Sequence, residues 1–278
     1  MKLTDIVKDK FITLVEFNPI KHSPEGFPKK YTFQELIDKV ELIKDLADFI
    51  TVTESENKIY AANSIVTANC IKLNSNKEAI PHITIRDHQK GTIENLVKTI
   101  EITNFHNILI IRGDNFFKKE TNFEHAYQFV DAVKNIKNSL CVGVAGDALY
   151  EREKEIEYMK SKLDAGADFI ITQAIFSSDS YCKYREDLEK NNINIPIIAG
   201  ILPIKGKKTI DFVEKNMKEV KIPEELKAWI LEVEDPRNRC LENVKDIIEN
   251  LKKKDCYGID IYSRGDAKLV YDILHGEG

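Results

Sequence analysis

Glu16 stands in the stretch FITLVEFNP, an acid among Leu14, Val15 and Phe17 just before Asn18-Pro19 ends the run. A carboxylate there loses hydration if the stretch is buried, so it is paired, protonated or placed at a mouth where chemistry happens. Other residues with chemical capacity recur near the ends of similar apolar runs. Thr53 and Glu54 close the second run, His82 lies in the third ahead of Arg86-Asp87, and Arg112-Gly113-Asp114 closes the fourth. Thr172-Gln173 stands in the sixth, and Tyr262 and Arg264 mark the end of the eighth. Acids, an imidazole and an amide in this arrangement can move protons and hydrogen-bond a small polar molecule.

The runs that carry these residues read as strands: 11–17, 49–54, 80–86, 107–114, 141–147, 168–174, 195–201 and 257–263. Each is followed by an amphipathic stretch, such as TFQELIDKVELIKDLA, TIENLVKTIEITNF, NFEHAYQFVDAVKNI and REKEIEYMKSKLDAGA. Eight strand-then-helix units predict a closed (β/α)8 TIM barrel, with mostly apolar strands buried on both faces. Residues 222–254 read as extra helix before the last strand, with Pro223 at an N-terminus and Pro236 as a break. With no linker, low-complexity tract or short repeat, the expectation is one domain over residues 1–278. An open doubly wound sheet would share the alternation, but it usually carries G-x-G-x-x-G after its first strand, where this chain has FNPIKHSPEG.

In such a barrel the C-terminal strand ends face the functional mouth, so Glu16, His82, Asp114 and Gln173 are expected to converge on one cavity. Any one of them could be a wet rim residue, and His82 could be a hydrogen-bonded core residue. Four from four strands point instead to an enzyme using acid–base or electrostatic chemistry. The tripeptide Arg112-Gly113-Asp114 has an adhesion reading that its place at the end of a buried strand disfavours.

The 278 residues, 42% of them hydrophobic and 31% charged, can bury a large core. Forty-one basic residues against 46 acidic ones leave a net charge of -5 with no basic stripe, which disfavours nucleic acid as a partner. The basic run at Lys252 to Lys254 suits a helix C-terminus. Five cysteines without CxxC pairs or Cys/His clusters signal neither a disulfide framework nor a metal site. No run of 18 apolar residues occurs and the start, MKLTDIVKDKF, has no apolar signal core, so a cytoplasmic protein without a membrane span is expected.

Taken in order, VEFNPIK, PHITIRD, ILIIRGD, DAGADFIITQAIF and IPIIAGILPI resemble the motifs of the methylenetetrahydrofolate reductase family over nearly the whole chain. The resemblance implies flavin-dependent reduction of a methylene-tetrahydropterin, 5,10-methylenetetrahydrofolate, to its 5-methyl form. It makes Glu16 the general acid that helps to open the methylene bridge. It sets Asp114 beside flavin and pterin, and gives Gln173 a hydrogen bond to substrate or nicotinamide. It implies that Thr53, His82, Arg112, Gly113, Asp114, Ala126 and Lys162 contact the cofactor, FAD ahead of FMN, with NAD(P)H or another reductant as electron donor.

Two stretches depart from the family pattern. Ala145-Gly146-Asp147-Ala148-Leu149-Tyr150 lacks an aromatic residue and a histidine that would hold the flavin, and Glu54-Ser55-Glu56-Asn57 replaces a glycine-rich turn. Both argue against tightly held FAD and direct use of NAD(P)H. The segment VTESENK, with RDHQ after the third strand, is similar to relatives of anaerobic one-carbon pathways. That similarity implies a metal-centre partner protein, within a homo-oligomer or hetero-complex. The alternatives are a pterin-dependent methyltransferase and a non-catalytic pterin-binding subunit.

Overall fold

A computed structural model describes residues 1–20, 32–54, 62–113, 121–217 and 220–275. A short helix α1 (Leu3–Ile6) leads into β1 (Ile12–Phe17), α2 (Phe33–Ile43), β2 (Phe49–Val52), α3 (Ser64–Ser75) and β3 (Ala79–Thr84). Then come α4 (Ile93–Ile102), β4 (Asn107–Ile111), α5 (Ala126–Ile136), β5 (Cys141–Gly146), α6 (Arg152–Asp164), β6 (Phe169–Ile175) and α7 (Ser178–Glu189). The chain continues through β7 (Ile197–Ile201), α8 (Lys207–Asn216), α9 (Glu224–Leu231), α10 (Pro236–Lys253), β8 (Gly258–Tyr262) and α11 (Ala267–Leu274). All eight strands pair in parallel, and β8 closes on β1 to complete the (β/α)8 barrel.

Local signals explain where the helices begin. Thr32 and Glu35 form a reciprocal capping box at α2, and Asn63 accepts from the Ile65 amide at 2.8 Å to cap α3. Asp235 accepts from the amides of Arg237 and Asn238, so Pro236 is the first residue of α10 as well as the break after α9. The basic run does fall at the C-terminal end of α10.

Strand alternation divides the core in two. Val15, Phe17, Ile50, Val52, Ile259 and Ile261 point outward into the layer beneath the helices. Ile12, Leu14, Phe49, Ile80, Leu109, Phe169, Ile171 and Ile198 point inward and plug the lower barrel, where Leu3 and Val7 of the N-terminal segment join them. Asn107 secures that segment, accepting from the Leu3 amide at 2.7 Å and donating to the Met1 carbonyl at 2.8 Å. Gly143 makes the plug possible, since a Cβ there would lie 2.3 Å from the Phe169 ring. By the same period of two, Glu16, Thr51, His82 and Asp260 share the inward parity above the plug.

Three strands stop two or more residues earlier than their apolar runs suggest. β2 ends at Val52 rather than residue 54, and β3 ends at Thr84. Residues Ile85–Asp87 instead form a 3-10 turn, closed by the Thr84 hydroxyl donating to Asp87. That turn ties Asp87 to its own strand end. β4 ends at Ile111, and Gly113 with φ of 79° takes the left-handed conformation that turns the chain away.

Candidate active site

Glu16, His82 and Asp260 meet above the plug, with one carboxyl oxygen or ring nitrogen of each within 4.8 Å of the others. Asp260 is inaccessible to solvent, His82 nearly so, and Glu16 keeps partial access. The Thr51 hydroxyl reaches both Asp260 oxygens at 3.2 Å. Burial, and then the neighbouring Asp260 charge, push the Glu16 carboxyl well above the ordinary glutamate value. Burial pushes Asp260 up to about 7 against the opposing Thr51 hydrogen bond, and it drives His82 down to about 3, so the imidazole is neutral.

Tyr262 forms the next wall. It stands opposite Glu16 in the β1–β8 ladder, and its hydroxyl donates to the Thr172 carbonyl at 2.6 Å. Between Ile171 and Ala174 the β6–β7 register shifts by one residue, and the Thr172 hydroxyl accepts from the Gly200 amide at 2.9 Å. This bulge carries half-buried Gln173. Ser263 closes the end of β1, its hydroxyl donating to the Glu16 carbonyl while accepting from the Gly265 amide at 3.1 Å.

The remaining expected site residues occupy strand and helix ends. Thr53 is half-buried just beyond β2, Arg112 is exposed and Gly113 half-buried just beyond β4, and Ala126 opens α5. Lys162 reaches from α6 to the Ala145 carbonyl at 2.7 Å, in surroundings whose burial lowers its proton affinity. Asp114, and with it the expected convergence of all four strand-end residues, lies outside the described residues, as do Ser55, Glu56 and Asn57. Glu16 and His82 are brought together as expected.

These residues fit a flavin with a phosphate tail. Among the described residues the buried His82 Nε2 has no hydrogen-bond partner, a polar atom suited to a ligand. Gly113 brings bare backbone close, since a Cβ there would lie 3.1 Å from the Thr84 side chain. Ala126 stands at the α5 N-terminus, an end whose free amides suit an anion.

The described residues of the two departing stretches make contacts of their own. Beyond β5, Glu155 accepts from the Asp147 amide at 2.9 Å and the Tyr184 hydroxyl at 2.8 Å, so a buried acid organises this turn. Gly146 leaves room for that tyrosine, whose oxygen would lie 2.4 Å from a Cβ there. Beyond β2, Glu54 accepts from the Ser64 hydroxyl at 2.8 Å, and the same hydroxyl lies 2.7 Å from the His82 carbonyl oxygen.

The motifs missed Asp260 and Thr51, and noted Tyr262 only as a strand end. A usable signal was present: Asp260 interrupts the apolar strand YGIDIYS as Glu16 interrupts FITLVEF.

The closed barrel with titratable groups above its plug is the architecture of a (β/α)8 enzyme. The family model described as methylenetetrahydrofolate reductase matches residues 4–278. The chain therefore belongs to the methylenetetrahydrofolate reductase family, a family of oxidoreductases. It is 28% identical over 290 residues to the 5,10-methylenetetrahydrofolate reductase of Buchnera aphidicola subsp. Acyrthosiphon pisum, covering 93% of this chain and 92% of that protein. Methylenetetrahydrofolate reductase 1 of Schizosaccharomyces pombe is 26% identical over 292 residues, with 98% of this chain but 48% of that longer protein covered. Among solved structures, a Clostridium thermocellum protein that binds two copies of 5-methyl-5,6,7,8-tetrahydrofolic acid has a similar fold, with a TM-score of 0.74 and 17% identity. That comparison covers 98% of this chain and 99% of the other.

Proposed function

We propose that the chain reduces 5,10-methylenetetrahydrofolate to the 5-methyl form as a flavin-dependent enzyme. The observation that carries this reading is a glutamate held above its ordinary proton affinity within the barrel mouth, in a chain of this family. Glu16 donates its proton to the amine nitrogen that leaves the methylene bridge. The carbon–nitrogen bond breaks toward that nitrogen, leaving a cationic iminium at the other. Hydride for the iminium carbon would come from a flavin held by the residues named below. The Asp114 carboxylate stabilises the cation electrostatically, and Gln173 orients the pterin by hydrogen bonding.

His82, Thr53, Arg112, Gly113, Ala126 and Lys162 hold the cofactor, FAD before FMN. The electron donor is NAD(P)H or another reductant, and a metal-centre protein is the candidate partner. The chain acts as one domain, residues 1–278, within a homo-oligomer or hetero-complex in the cytoplasm. Among the described residues no helix is long and apolar enough to cross a membrane.

The absorbance spectrum of the purified protein, with flavin identified after denaturation, tests the cofactor. Binding in the micromolar range or weaker is expected, because the turns after β2 and β5 depart from the family pattern. Mixing the reduced protein with methylenetetrahydrofolate should then reoxidise the flavin. No flavin signal at saturating protein would overturn the reading.

A further inference from the structure

Asp260 is a buried acid that the proton transfer above does not use. It stands opposite Leu14 in the β1–β8 ladder, while Glu16 stands opposite Tyr262, so the two acids are diagonal neighbours on adjoining strands. Two carboxyls this close in a largely apolar enclosure cannot readily both ionise, and they titrate as a pair. Their hydrogen bonding decides which one ionises first. Thr51 donates to Asp260 and favours the carboxylate there.

Among the described residues, two further titratable groups face the pair, and neither carries charge near neutral pH. His82 on β3 is neutral, and Tyr262 on β8 is held protonated by burial with its hydroxyl committed to Thr172. We propose that Asp260 is the positioning partner of Glu16: the pair shares one proton, Thr51 holds the negative charge on Asp260, and the proton is thereby kept on Glu16. This rests on the reductase reading for its catalytic consequence but not for the coupling itself. When Glu16 gives its proton to the bridge nitrogen, the O–H electron pair stays on Glu16 and both carboxylates face the newly formed cation. Glu16, the more exposed of the two, then recovers a proton from water at the mouth.

The test is the pH dependence of the oxidative half-reaction, together with an infrared titration of the protonated Glu16 carboxyl, its band assigned by loss in Glu16→Gln. Asp260→Asn keeps the shape and removes the charge. It should move the alkaline limb and the infrared midpoint of Glu16 down by about one pH unit or more. The reductive half-reaction should be unchanged. A merely structural role would lower rates at every pH without moving either midpoint, and that result overturns the proposal. So does a stoichiometric divalent metal, found by elemental analysis, that Asp260→Asn releases.

If Asp260→Asn does not fold, Thr51→Val provides the test. Loss of the hydroxyl donor moves the shared proton toward Asp260 and should weaken the Glu16 band at neutral pH, whereas an unchanged band overturns the proposal. Failure of the reductase reading is separately visible. The protein would then not reduce methylenetetrahydrofolate at all, while the infrared titration would still report on the pair.

Discussion

The Tyr262 phenol occupies the space that a side chain at Gly200 would need. A Cβ at position 200 would lie 2.4 Å from the Tyr262 oxygen and 2.3 Å from the Thr172 carbonyl oxygen. The wall of the site, from β8 across β7 to the β6 bulge, therefore depends on one absent methyl group.

Gly200→Ala should push Tyr262 and the bulge apart. Because one obstacle is backbone, the strain cannot relax by rotating a side chain, and a loss of about 1–3 kcal/mol is expected. Urea denaturation of the variant measures it, and an unchanged midpoint would show that β7 moves freely there.

Stability against pH should separate His82 from Asp260. His82 titrates near 3 rather than 6.5, so its contribution is present above 6.5 and is lost as pH falls toward 3. Asp260 titrates near 7 rather than 3.8, so its contribution is present below 3.8 and is lost as pH rises through 7. Where those windows overlap, from 3.8 to 6.5, the two slopes oppose each other, and Glu16, also raised, adds to the acid side. Asp260→Asn should make the slope of unfolding free energy against pH, from about 4 to 6.5, more positive by about 1.4 kcal/mol per pH unit. His82→Gln should make it more negative by a similar amount. Urea titrations at several pH values check both signs.

Glu16→Gln should separate the two halves of the reaction. Reduction of flavin by the electron donor needs no proton from Glu16 and should survive. The oxidative half-reaction with methylenetetrahydrofolate should fall by about a hundredfold or more. Stopped-flow spectra of each half decide it, since equal loss in both, or loss in neither, removes Glu16 as the acid.

Asp114→Asn should retain flavin and slow folate reduction on the order of ten- to a thousandfold, the scale of one preorganised electrostatic group. Unchanged activity per folded molecule would make Asp114 a structural rim residue.

Eight apolar runs with intervening amphipathic stretches were enough to specify the barrel, because strand and helix periods are local properties that chain order then assembles. Glu16 was legible for the same reason, as a charge misplaced in an apolar strand. The strand ends were less so. Thr84 and Gly113 end β3 and β4 through a side-chain hydrogen bond and a left-handed backbone, while the apolar pattern ran on past them. Asp260 lies 244 positions from Glu16 in the chain, and nothing local pairs them. Closure of β8 on β1 brings the two acids together, and burial then converts that proximity into a shared proton balance. Composition and order determined which residues could do chemistry; the closed sheet decided which of them feel one another, because electrostatic coupling depends on distance and desolvation rather than on sequence separation.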